Sequence, residues 1–131
     1  MIAIRASVGE LEISGTPKDL RLVSKALLSL DTGAHYLENA DIRIDPTPYE
    51  RRLALLDVSV TNGPVRVTVD DDRLCIVGDK DCLGTIASFF DFEDSASSGE
   101  HSHCEWYEGS EIIDRESIPL VVSVAIGEDG G

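Results

Sequence analysis

The sequence predicts an α+β domain: duplicated ββαβ-type halves forming a largely antiparallel sheet, with two helices on one face. Three observations predict it. Residues 2–28 slide onto residues 65–91 without a gap, so that Leu11, Ile13, Gly15 and Leu20 fall on Leu74, Ile76, Gly78 and Leu83. Ile2, Ile4 and Ala6 then fall on Val65, Val67 and Val69, and each copy reads as alternating strand, polar turn, strand ending at glycine, then helix. Finally, PLVVSV near the C-terminus echoes LLDVSV at the end of the first half. The 131 residues fit a single domain, with pseudo-repeats at 1–63 and 64–126 and a flexible tail at 127–131. Neither half alone carries enough apolar surface for a comfortable core.

Each element has a local cause. Ile2, Ile4 and Ala6 alternate with Ala3, Arg5 and Ser7, giving a strand with one apolar face. Val8-Gly9-Glu10 turns the chain into Leu11-Glu12-Ile13, and Gly15 closes that strand. Thr16 is the N-cap of the first helix, Pro17 its first residue, and Asp19 lies in its first turn. Leu20, Val23, Leu27 and Leu30 form the apolar stripe, Arg21 and Lys25 the outer face, and Asp31-Thr32-Gly33 the stop. Short strands are expected at His35-Tyr36-Leu37 and Ile42-Arg43-Ile44. Pro46 and Pro48 then bar a continuous strand over 45–50, and residues 53–60 form the next one. The seam between copies is Asn62-Gly63-Pro64.

The second copy repeats the plan. Val65, Val67 and Val69 alternate, Asp70-Asp71-Asp72 turns the hairpin, and Leu74, Ile76 and Val77 form its partner strand. Asp79 caps a helix running from Asp81 to Phe90 or Phe92, with Leu83, Ile86, Phe89 and Phe90 buried. Residues 94–100 (DSASSGE) read as a mobile low-complexity loop. A strand over 101–107, a turn at Glu108-Gly109-Ser110, a partner strand over 111–114 and a last strand over 118–126 complete the expectation.

Charge narrows the partners. The net charge is −14, with nine acids and seven bases over 1–63 against sixteen acids and four bases over 64–131. Such a chain lacks the basic footprint that nucleic acid or anionic membrane requires, and it attracts a basic protein. No apolar run approaches a membrane span. The N-terminus reads directly as strand without a secretion-signal layout, and three cysteines without framework spacing suit a reducing compartment, so the expected location is cytoplasmic.

The densest constellation is His101-Ser102-His103-Cys104-Glu105-Trp106. On a strand, His101, His103 and Glu105 share one face, while Cys104 and Trp106 share the other, which favours Trp106 in the core. Two imidazoles and a carboxylate resemble a half-built transition-metal site, but no fourth ligand has the right spacing. The alternatives are a solvated polar strand and a partner-binding strip. His35 is the approximate counterpart of His103 in the first copy. Around this strand lie Asp91, Glu93, Asp94, Glu100, Glu105, Glu108 and Glu111, with Tyr107 as the exposed aromatic. Enzyme signatures are poor: there is no phosphate loop, nucleophile elbow or HExxH. Cys82 falls in the first turn of the second helix, where a solvent-facing position is the simplest account and a dipole-lowered pKa the chemical one. Cys75 is expected to be partly exposed.

With HSHCEWYEGSEIIDRESIPLVVSV and the LEISGTPKDL opening, the chain resembles immunity protein family 32 of bacterial polymorphic toxin systems. The resemblance rests on the strand-Gly-turn-Leu-helix element, the strand carrying His101, His103 and Glu105, and the later Ser117-x-x-Leu120-Val121-Val122 segment. It implies a cytoplasmic, non-enzymatic α+β protein without cofactor that binds and neutralises a protein toxin. With the charge it points to a basic toxin, a nuclease being one such class, met through Glu100, His101, His103, Glu105, Tyr107 and Glu108. Two other readings stand beside it: a metal-binding protein or enzyme using His101, His103 and Glu105, and a small structural or regulatory domain pairing through a sheet edge. The chain is expected to be monomeric or homodimeric.

Overall fold

The computed structural model describes residues 1–126; the stretch 127–131, expected as a flexible tail, lies outside the described residues. The first copy opens with the hairpin β1 (Ala3–Ser7) and β2 (Glu10–Gly15), followed by α1 (Pro17–Ser29). Thr16 caps α1 by accepting the Asp19 N–H at 3.1 Å, as its sequence position implies. β3 (His35–Asn39), β4 (Arg51–Leu53) and β5 (Leu55–Val60) end this half. The second copy gives β6 (Arg66–Asp70), β7 (Arg73–Gly78) and α2 (Lys80–Ala87), then a 3₁₀ turn (Ser88–Phe90), β8 (His101–Cys104) and β9 (Leu120–Val124). Asp79 caps α2 through the Cys82 N–H at 2.8 Å.

The α+β class and the predominance of antiparallel pairing are as expected, and the strands divide into two sheets, β4-β1-β2-β9-β8 and β3-β5-β7-β6. The copies are interleaved. Each hairpin receives, beside its second strand, two strands of the other copy: β9 and then β8 beside β2, and β5 and then β3 beside β7. β2 runs parallel to β9 with Leu11 opposite Leu120 and Gly15 opposite Val124, and β7 runs parallel to β5 with Leu74 opposite Leu56 and Gly78 opposite Val60. The same main-chain bonds recur at equivalent places. Thr61 N donates to Gly78 O at 2.7 Å, matching Ala125 N to Gly15 O at 2.9 Å. Gly33 N donates to Val60 O at 3.3 Å, matching Gly99 N to Val124 O at 2.9 Å, and both glycines take the left-handed φ that an L side chain resists. This equivalence corrects the histidine pairing. His35 lies opposite Ser59 and His101 opposite Ser123, so the counterpart of His35 is His101 and not His103.

Three strand expectations change for local reasons. Ile42-Arg43-Ile44 is a turn, because the Asp41 carboxylate accepts the Arg43 N–H at 2.9 Å and competes with strand pairing. The expected strand over 53–60 breaks at Ala54, where the chain passes from one sheet to the other. Residues 111–114 do not form a hairpin strand. They lie along the outer margin of β6, with Val65 N donating to Ile112 O and Asp114 N to Val65 O, both at 2.7 Å.

Both copies feed one apolar cluster: Ile2 just before β1, Ile4, Leu11, Ile13 and Leu53 from the first sheet's strands, and Leu56, Val58, Leu74 and Ile76 from the second. α1 adds Leu20, Val23 and Leu27, and α2 adds Cys82, Leu83, Ile86 and Ala87. Each fully buried leucine or isoleucine contributes about 1.5–3 kcal/mol relative to exposure. No helix among the described residues is long and apolar enough to cross a membrane.

Candidate functional site

β8 is the terminal strand of the five-stranded sheet. Its alternation sends Cys104 into the core at 1% exposure and leaves His101 and His103 exposed on the outer face. Ser102 donates to Phe89 O at 2.6 Å, tying the strand to the 3₁₀ turn. The two imidazoles meet edge to face, with centroids 4.9 Å apart, and His101 Nδ1 donates to Gly99 O at 2.9 Å. Glu105 lies past the end of the strand, which stops at Cys104. Among the described residues no group of three or more His, Cys, Asp or Glu side chains is placed to hold a metal ion, so His101, His103 and Glu105 do not assemble as a ligand set.

The sheet brings the histidines to residues that the sequence did not single out. His101 and His103 rim an open groove of about 420 Å³ whose walls include Arg5, Glu10, Glu12, Ser14, Tyr49 and Ser123. Arg5 Nη1 donates to Glu12 Oε1 at 2.9 Å and to Ser14 Oγ at 3.2 Å, and Arg5 Nε donates to Asp45 O at 3.0 Å. Ser123 donates to Glu12 Oε2 at 3.1 Å, and Tyr49 donates to Glu10 Oε2 at 2.5 Å. Burial and Glu10 push the Tyr49 hydroxyl well above its ordinary pKa. Each of these side chains is already engaged within the network, so the groove floor is a braced polar surface rather than an activated nucleophile.

The acidic strip is a surface feature throughout. Asp91, Glu93, Asp94, Glu100, Glu105, Glu108 and Glu111 are all exposed. Among the described residues only Asp94 of these seven enters an ion pair, with Arg21. Asp91, Glu93 and Glu100 line one hollow of about 260 Å³ at the start of β8. The six residues expected to meet a partner, Glu100, His101, His103, Glu105, Tyr107 and Glu108, are all exposed, Tyr107 at 65%. Trp106 departs from expectation. The strand ends before it, the alternation with Cys104 lapses, and its ring is 37% exposed with the Arg115 guanidinium 5.7 Å from its centroid. Arg115, the one base between Asp91 and Glu116, therefore stacks on an aromatic at the margin of the carboxylates.

The remaining chemistry-bearing groups are quiet. Cys82 is buried rather than solvent-facing, and burial with Asp79 pushes its thiol up to about 11, overriding any helix-dipole effect. Burial pushes Cys104 up to about 12. Cys75 is partly exposed, as expected, with its thiol also raised by burial. On the outer face of the second sheet, Asp57 links His35 to Arg73, whose Nη1 donates to Asp57 Oδ2 at 3.0 Å. That network holds β3, β5 and β7 together side by side.

In comparisons with known proteins, no family model, curated protein or solved structure matches the chain.

Proposed function

We propose that this chain is a cytoplasmic immunity-type protein that neutralises a basic protein toxin by covering it with the carboxylate-bearing surface around β8. The observation that supports the reading is the set of six exposed carboxylates between Asp91 and Glu111 that no described cation pairs with, three of them around one hollow. Charges that a fold does not neutralise internally remain available to a partner, and they speed the encounter with an oppositely charged surface. Trp106 and Tyr107 stand among them as exposed aromatics of the kind that anchor interfaces. The toxin as partner comes from the resemblance of the His101–Glu105 region and the opening hairpin, and a nuclease is a toxin class that the acidic charge fits. A nuclease must present lysine and arginine to phosphate, and an acidic surface would occupy that groove in place of nucleic acid. No catalytic role is assigned to this chain.

The test is protection in cells. Toxin domains encoded beside this gene are expressed with the wild-type chain or with the Glu100→Lys, Glu105→Lys, Glu108→Lys triple variant. Wild type should restore growth, and the triple variant, folded by circular dichroism, should not. Equal protection by both would remove the acidic surface from the account.

A further inference from the structure

Bonded positions alternate along an antiparallel pair. Val124 N donates to Glu100 O at 2.8 Å, which places Ser102 and Cys104 in the bonded positions opposite Val122 and Leu120. The N–H and C=O groups of His101 and His103 therefore point away from β9, along the outer margin of the sheet. The 112–118 segment covers the margin of β6 through Val65, Asp114 and Ile118, whose N–H donates to Val67 O at 2.9 Å. β4, the opposite end of the five-stranded sheet, is only three residues long and exposes Arg51 and Arg52, which would repel a basic segment. β3, the counterpart of β8, is a further terminal strand with no neighbour on its outer side among the described residues, yet the carboxylates near it are engaged: Glu38 by Tyr36, Asp31 by Lys80, and Asp57 by His35 and Arg73. β8 differs. It begins beside the Asp91, Glu93 and Glu100 hollow and runs out into Glu105 and Glu108.

The geometry points to β8 as a strand-addition site, at which an extended, lysine- or arginine-bearing segment of a partner protein pairs with the main chain of His101 and His103. Its basic side chains meet carboxylates at both ends of the strand. The inference rests on the acidic-surface reading above and adds the mode of engagement. A second copy of this chain fits the edge less well, because antiparallel pairing would set Glu100 and Glu105 against their own kind in a molecule of net charge −14.

The probe is a capped peptide of alternating lysine and valine, titrated into the full-length chain and followed by amide NMR. Binding should slow exchange of the His101 and His103 amides. His103→Pro removes an N–H that the β8·β9 ladder does not use, so the fold should persist while affinity falls about tenfold or more. His103→Thr keeps that N–H and should lose far less affinity than His103→Pro. A peptide methylated on alternate backbone nitrogens should not bind, and this arm decides the matter if the proline variant fails to fold. Undiminished binding of the methylated peptide would overturn strand addition. If the Glu100→Lys, Glu105→Lys, Glu108→Lys variant then still lost binding, the acidic-surface reading would survive alone. No binding of the unmethylated peptide at millimolar concentration would also overturn strand addition. Slowed exchange that depends on protein concentration without peptide would assign the edge to a second copy instead.

Discussion

Gly15→Ala and Gly78→Ala alter the same place in the two copies, yet the structure separates them. A Cβ at Gly15 would lie 3.5 Å from Asp19 Cβ, 3.6 Å from Ile2 Cγ2 and 3.7 Å from Ile2 Cα, which is ordinary contact. A Cβ at Gly78 would lie 2.8 Å from Val65 Cγ2 and 2.9 Å from Val65 Cα, so backbone as well as side chain must move. Val65 is poorly placed to yield, because its N–H and C=O are both bonded to the 112–114 segment at 2.7 Å. Overpacking of this kind costs about 1–3 kcal/mol. At residue 15, alanine meets no such clash and restricts the unfolded chain, for a gain of about 0.4–1 kcal/mol. The variants should therefore differ by roughly 2–3 kcal/mol in urea unfolding, with Gly78→Ala the weaker. In thermal melts that is a gap of about 10 °C at roughly 4 °C per kcal/mol for a chain of this size. Equal midpoints, or Gly15→Ala as the weaker variant, would refute the approach of β6 to the end of β7.

Other expectations are simpler to check. Trp106, the single tryptophan, should emit at the red end of its range and be quenched by acrylamide without unfolding; shielded, blue-shifted emission would return it to the core. Native Cys104 and Cys82 should react with a disulfide reagent only as fast as the protein opens, while Cys75 reacts first; prompt reaction of all three would contradict their burial. Asp41, Asp79 and Asp114 have folded pKa values below the ordinary 3.8, held down by the backbone or side-chain groups of Arg43, Cys82 and Glu116. Depressed folded values mean stability that is present above pH 3.8 and lost as pH falls through the lower folded values, so acid unfolding monitored by circular dichroism should set in below about pH 4. Asp57→Val places at residue 57 the side chain that its counterpart Val121 carries. Its partners His35 and Arg73 are half-exposed and can rehydrate, so unfolding in urea should shift by about 1 kcal/mol or less.

What the sequence made legible is what short-range chemistry decides. The Thr16 and Asp79 caps, the apolar stripes of α1 and α2, and the paired hairpins all follow from residues within a few positions of one another. The interleaving of the copies does not, because β2·β9 and β5·β7 join segments whose affinity depends on the whole apolar cluster. The same limit explains the groove. Arg5 and Glu12 sit opposite each other in a hairpin whose alternation was visible, but Ser123 and His101 arrive beside them only through the β9 and β8 crossovers. Residues 111–114 alternated well enough to read as a hairpin strand, and the unsatisfied margin of β6 captured them instead. Trp106 was misplaced for a related reason: alternation predicts a face only while the strand lasts, and β8 ends at Cys104.

The proposed role of the acidic surface is tested most directly by the association rate with the toxin that the proposal assigns as partner, measured as ionic strength is raised. For the wild-type chain the rate should fall by about tenfold or more between low and physiological salt. For the Glu100→Lys, Glu105→Lys, Glu108→Lys variant it should start low and change little. A wild-type rate independent of salt, or a variant that associates as fast as wild type, would contradict the account.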